Sequence, residues 1–159
     1  MITLDQYWMG RDVKYRRDLT EDIIQNAQIT VERVNELLLA FHDALGIEID
    51  EVASGWRPPS VNEGTANAAK TSTHLTAEAC DLCDTENRDL ARWCVINPKR
   101  MEDAGLWMES PEHTWRATVP GARPWVHLQI RPPRSGRRIY IASNAPATAP
   151  LLLEQGGVA

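Results

Sequence analysis

The longest regular pattern in the chain is an apolar stripe. Ile23, Ala27, Val31, Val34, Leu38, Phe41 and Leu45 recur at steps of three and four, with polar residues between them. That spacing lays one apolar face along a helix of about seven turns. Asp18 and Glu21 have capping-box spacing at its start, and Gly46 is placed to end it. The helix is predicted from about Asp18 to Gly46, as the scaffold on which a sheet packs. His42 falls on it as a surface residue.

Shorter stretches change to a period of two. Ile47 to Ala53 reads as a strand. Leu75 to Leu82 is predicted extended, with Ala77, Ala79 and Asp81 on one face and Glu78, Cys80 and Leu82 on the other. Trp125 to Ile130 alternates cleanly: Val126, Leu128 and Ile130 make an apolar face. The opposite face carries Trp125, His127 and Gln129, a set that suits the lining of a cleft. Leu106-Trp107-Met108 starts another short strand. A strand from about Arg138 to Ala142 follows the turn Pro132-Pro133-Arg134-Ser135-Gly136, and the two flanking strands are expected to form a hairpin. Thr85 is an N-cap for a helix to about Ile96 that buries Leu90, Ala91, Trp93 and Cys94. Asn97-Pro98 interrupts it, and Lys99 to Ala104 adds a turn closed by Gly105. Residues 1–17 read as an extension packing Tyr7, Trp8, Met9 and Tyr15 on the domain, broken at Gly10-Arg11-Asp12.

The fold class is α+β: a long N-terminal helix and shorter helices packed on a small antiparallel sheet. One domain is expected over 1–143, with a tail from 144 to 159 that is rich in Ala and Pro. Hydrophobic content of 43% and charged content of 25% fit a globular protein with a real core. The formal charge of −5 argues against general nucleic-acid binding. No apolar run reaches the ~18 residues that a membrane span needs, and the first residues lack the pattern of a signal peptide.

Two stretches carry candidate chemistry. In Ser72-Thr73-His74-Leu75-Thr76-Ala77-Glu78-Ala79-Cys80-Asp81, a His and an Asp stand with six residues between them. His127 lies far along the chain. Three protein ligands with an open fourth position is the arrangement of a catalytic zinc site, so His74, Asp81 and His127 are the candidate Zn2+ ligands. Cys80 and Cys83 form a Cys-x-x-Cys, but no second pair completes a structural metal site. On a strand the two point to opposite faces, so buried reduced thiols are expected.

Ser72-x-His74-x-x-Ala77-x-Ala79-x-Asp81 resembles the Ser-x-His-x-x-Gly-x-Ala-x-Asp motif of the zinc D-alanyl-D-alanine carboxypeptidases. That family includes phage L-alanyl-D-glutamate endolysins and shares its fold with hedgehog signalling domains. Ser54-Gly55-Trp56-Arg57-Pro58-Pro59, with Asn62, looks like its Ser-Gly-Tyr-Arg segment. Trp125-Val126-His127 falls where the family places its last ligand. The resemblance covers roughly residues 50 to 143. It implies a hedgehog/DD-peptidase-like fold, and Arg57 contacting the scissile carbonyl or a substrate carboxylate. Ser72, Trp125 and Gln129 would then stand around the metal ligands.

Two positions depart from the family pattern. Its glycine is Ala77 here, a mild change if the backbone there avoids positive φ. Its acidic residue three before the last ligand is Pro124, so the general base is expected from Glu112, with Glu109 and His113 as further ionisable residues. Residues 111 to 143 hold six arginines against the single acid Glu112. They read either as a solvated rim or as an attraction for anionic cell-wall polymer or a partner surface.

The resemblance implies a zinc metallopeptidase that hydrolyses an amide bond in peptidoglycan stem peptides, by carboxypeptidase or endolysin-type action. Without a signal peptide it would stay cytoplasmic until released, or be phage-associated. The alternative is a catalytically weak or inactive zinc-binding protein on the same fold, serving as a structural or binding component of a phage. Nothing in the residues marks an oligomeric state.

Overall fold

The computed structural model describes residues 1–66, 68–111 and 123–141. Two short helices open the chain, α1 (Leu4–Trp8) and α2 (Arg11–Lys14), followed by a 3-10 turn at Arg16–Asp18 and the long α3 (Glu21–Leu45). Thr20, not Asp18, caps α3: its hydroxyl accepts the Ile23 N–H at 3.2 Å. Asp18 is held in the 3-10 turn. Gly46 ends the helix as expected, in the left-handed conformation at φ 68°.

The stripe faces inward. Ala27, Val31, Val34, Leu38 and Phe41 are buried, and Thr30 and Leu37 join them. Each large apolar side chain so buried stabilises the fold by roughly 1.5–3 kcal/mol before entropy is counted. Leu45, in the last turn, is half exposed, and Ile23, in the first, is partly buried.

After α3 come β1 (Val52–Ser54), α4 (Pro59–Glu63), β2 (Ala79–Cys83), α5 (Asp89–Ile96), α6 (Pro98–Asp103), β3 (Trp107–Glu109), β4 (Trp125–Gln129) and β5 (Ile139–Tyr140). Among the described residues the sheet has five strands in the order β1-β2-β4-β3-β5. The fold class is therefore α+β with a long N-terminal helix, but the sheet is mixed. β5 runs parallel to β3, with Glu109 opposite Tyr140, so the expected hairpin between Trp125–Ile130 and the last strand does not form. β3 pairs with β4 along that edge, and the 130–138 connection is long enough to carry the chain past β3 to its far side.

Two other strands are shorter than expected. Ile47 to Ile49 is not in a strand; β1 is confined to Val52–Ser54, with a bulge between its ends. Residues 73–77 form turns rather than the start of β2, held by Leu75 N–H to the Ser72 carbonyl (3.1 Å) and Glu78 N–H to the Thr73 carbonyl (2.9 Å). Ala77 lies at φ 57°. The substitution for glycine is thus not mild, since a left-handed residue with a Cβ costs roughly 1–2 kcal/mol. The Ala77 carbonyl accepts the Thr30 hydroxyl at 2.9 Å, which helps hold that conformation.

α5 begins at Asp89, later than a Thr85 cap implies, although the Thr85 hydroxyl does accept the Asp89 N–H at 3.1 Å. Leu90, Ala91, Trp93 and Cys94 are buried as expected. The opening helices are more than an extension. Tyr7 and Trp8 are buried, and Trp8 meets Trp56 edge-on at 5.9 Å between centroids. Met9 and Tyr15 stay at or near the surface. Among the described residues no helix is long and apolar enough to cross a membrane.

Candidate metal centre

β2 and β4 pair antiparallel with Asp81 directly opposite His127 and Ala79 opposite Gln129. Residues opposite each other share a face, so this register joins the acid and the imidazole. The small side chain of Ala79 leaves room beside them. His74 enters from the turn before β2. Its main chain is pinned twice: its N–H donates to the Ser72 hydroxyl at 3.3 Å, and its carbonyl accepts the Arg57 N–H at 3.0 Å.

The three side chains converge. Asp81 Oδ1 lies 2.7 Å from His127 Nδ1 and 3.2 Å from His74 Nε2, and the two nitrogens are 3.3 Å apart. For ligand bonds of ~2.0 Å, the edge of a coordination tetrahedron is ~3.3 Å. All three residues are buried, and the group could hold a metal ion.

Each ring has a second nitrogen with a partner of its own. His74 Nδ1–H donates to the Gly55 carbonyl at 2.7 Å, leaving the Nε2 lone pair facing the centre. His127 Nε2 lies 3.3 Å from Gln129 Oε1, which accepts, while His127 Nδ1 shares a proton with Asp81 Oδ1 at 2.7 Å; a metal ion would replace that proton. The Gln129 amide is held by three further partners: its Nε2 donates to the Arg131 carbonyl, and its Oε1 accepts from Tyr140 (2.6 Å) and Thr73 (3.3 Å). Three atoms able to bind a metal ion thus meet in a buried space. A proton can bridge one pair of them; a cation satisfies all three.

Electrostatics follow the geometry. Burial would raise the Asp81 carboxyl, but the two histidines outweigh it and hold the group well below the usual carboxylate range. Burial lowers His74. Burial also opposes charge on His127, yet Asp81, Glu109 and Gln129 together push it up. The second Asp81 oxygen is bound to Arg57 at 2.8 Å, and Arg57 Nε donates to the Ser54 hydroxyl at 2.9 Å. The β1 bulge sets Ser54 opposite Asp81; bulges often re-aim side chains next to functional sites.

The group lies on a cleft of about 930 Å³. Trp125, Gln129, Glu109 and Tyr140 line it, and Ser72 stands at its edge. Glu112, His113, Trp115 and Arg116 lie outside the described residues, as do 142–159. Cys80 is buried on the face of β2 away from Asp81 and Cys83 is half-buried; both thiols are free. Burial pushes the Cys83 thiol up to about 11. His42 is a surface residue beside Asp43.

Three contributors act through contacts that the sequence does not show. Tyr140 reaches the site only through the parallel β3–β5 pairing. Tyr7 places its hydroxyl 2.9 Å from the Ala77 carbonyl and 3.0 Å from that of Ala79. Gly55 is required by that packing, since a Cβ there would stand 1.9 Å from the Tyr7 carbonyl oxygen.

No family model, curated protein or solved structure matches this chain. The resemblance therefore rests on the three motifs and on the side chains they bring together.

Proposed function

We propose that this protein is a zinc-dependent amide hydrolase acting on the peptide stems of peptidoglycan. The observation that carries the reading is the set of three buried atoms able to bind a metal ion, His74 Nε2, Asp81 Oδ1 and His127 Nδ1, gathered at tetrahedral spacing on the wall of a cleft. Mixed nitrogen and oxygen ligands, with a fourth side left to the cleft, suit zinc in a catalytic role. Zinc bound there supplies a water of pKa near ~7 and polarises a carbonyl.

The protein's own groups divide the remaining work. Arg57 faces the same cleft and carries a fixed positive charge where an oxyanion develops. Its bond to Asp81 sets the guanidinium plane before substrate arrives. Pro124, three residues before His127, offers no proton-transfer group. Glu109 lines the cleft on the strand beside β4 and takes that role, unless Glu112, three residues further on, does so. Pro124 also gives substance to a second reading, in which the centre holds zinc but serves binding, as in a virion component.

The experiment is zinc analysis of the untagged protein together with hydrolysis of a stem peptide. About one zinc per chain, with turnover that falls in Glu109→Gln or Glu112→Gln while zinc stays bound, supports the hydrolase. One zinc and no turnover leaves the binding protein, and absence of zinc uptake rejects both.

A further inference from the structure

The opening helices bring a second guanidinium to the cleft. Arg11 lines it together with Arg57 and the metal-binding group. Its Nη1 donates to the Trp56 carbonyl at 2.7 Å, one residue before Arg57. The segment that carries it is strapped in place: Tyr7 lies against Gly55 and bonds toward Ala77 and Ala79. Arg11 is therefore held by built structure and does not wave in solvent.

The two arginines differ in their partners. Arg57 is paired with Asp81 at 2.8 Å. Among the described residues no carboxylate lies within ion-pair distance of Arg11, although it is half-buried. Burial, and next the charge of Arg57, lower its hold on the proton, but a guanidinium remains charged at any ordinary pH. A half-buried cation without a counterion is costly. Arg131 and Arg134 also border the cleft, but Arg131 is paired with Glu78 and Arg134 is exposed to solvent.

We propose that Arg11 is a specificity residue that binds the terminal carboxylate of a peptide whose scissile amide lies at the metal centre. The planar fork, tied to Trp56 through Nη1 on the wall of the cleft, matches a carboxylate. The protein then removes a C-terminal residue and does not cut within a stem. This rests on the hydrolase reading above and deepens it.

The test uses zinc-loaded wild type, Arg11→Gln and Arg11→Lys. The probe is the phosphinate analogue of D-alanyl-D-alanine, which cannot be hydrolysed, as its free acid and as its C-terminal amide. Affinities are measured by titration calorimetry. Wild type is expected to favour the acid by about tenfold or more, the scale of one charge-assisted hydrogen bond. Arg11→Gln loses that preference while its affinity for the amide stays within about twofold, and Arg11→Lys keeps part of it. Equal binding of acid and amide by wild type, binding of neither, or a full preference surviving in Arg11→Gln overturns the proposal. Zinc content, measured on the same samples, reports separately on the metal centre, and melting temperatures of the variants exclude loss of fold.

Discussion

Asp81 stands at the middle of β2 and Asp84 just past its end, three residues on, and both are buried. Asp84 faces three backbone donors: the N–H groups of Thr85 (2.8 Å), Leu90 (3.0 Å) and Ala91 (3.0 Å). It closes the loop into α5, and all its work is structural. Asp81 faces two imidazoles and a guanidinium, with a cleft alongside. Burial of a carboxylate therefore says little about its use. The partners decide: peptide N–H groups fix a fold, whereas imidazoles gathered on an acid beside a cleft can exchange a proton for a metal ion. Their acidities diverge in the same way. Burial outweighs the three N–H groups and pushes Asp84 up, while the histidines bring Asp81 down despite its burial.

Substitution should separate the two most sharply in metal affinity. Asp81→Ala is expected to weaken zinc binding by at least about 100-fold, more than the loss of a supporting hydrogen bond costs; Asp84→Ala should stay within about threefold of wild type. Competition with a chromogenic chelator measures both, and equal losses would erase the distinction. In stability the order reverses. Asp84→Ala strands three buried N–H groups and should cost about 3 kcal/mol in urea unfolding of the metal-free protein. A smaller effect follows from the contact between His127 and Gln129. Gln129→Leu removes the acceptor that orients His127 and should lower zinc affinity by roughly 10-fold with the ligands intact. Unchanged affinity would show that the ring is held by Asp81 alone.

The finest contrast lies in pH. In metal-free protein the Asp81 contribution is complete above the unfolded carboxyl pKa of about 3.9 and is lost as pH falls. For Asp84 the raised pKa reverses the sign: its contribution is complete below that value and is lost as pH rises toward the folded pKa. The stability of wild type relative to Asp81→Asn should therefore grow as pH rises from about 2 to about 4 and level off above that. Relative to Asp84→Asn it should shrink as pH rises above about 4. Parallel slopes would contradict the assigned environments.

The sequence made α3 legible because period and caps agree over many turns, and its one error was to choose Asp18 over Thr20 as the cap. His74, Asp81 and His127 were legible by residue type and motif. Their approach was not, because it depends on a strand register that alternation alone leaves open. The last strand was misplaced for a related reason: adjacency in sequence favours a hairpin, and nothing local in Pro132-Pro133 says that the chain crosses β3. Ala77 shows the limit of a one-letter comparison. A missing glycine looked harmless until its φ was known, and the bonds that hold it come from Tyr7 and Thr30, 70 and 47 residues away in the chain. The opening helices hid their role likewise, since Tyr7 and Arg11 act on partners far along the sequence.

The strand order also bears on how the protein is made. His74 and Asp81 leave the ribosome well before His127, and the wall that Tyr140 contributes comes later still. β2 has β1 as an early neighbour, but its other edge waits for β4. A nascent chain thus offers a metal ion only two of its three protein donors. On the zinc reading, loading would belong to the end of synthesis, when a bound ion would also clamp β2 to β4.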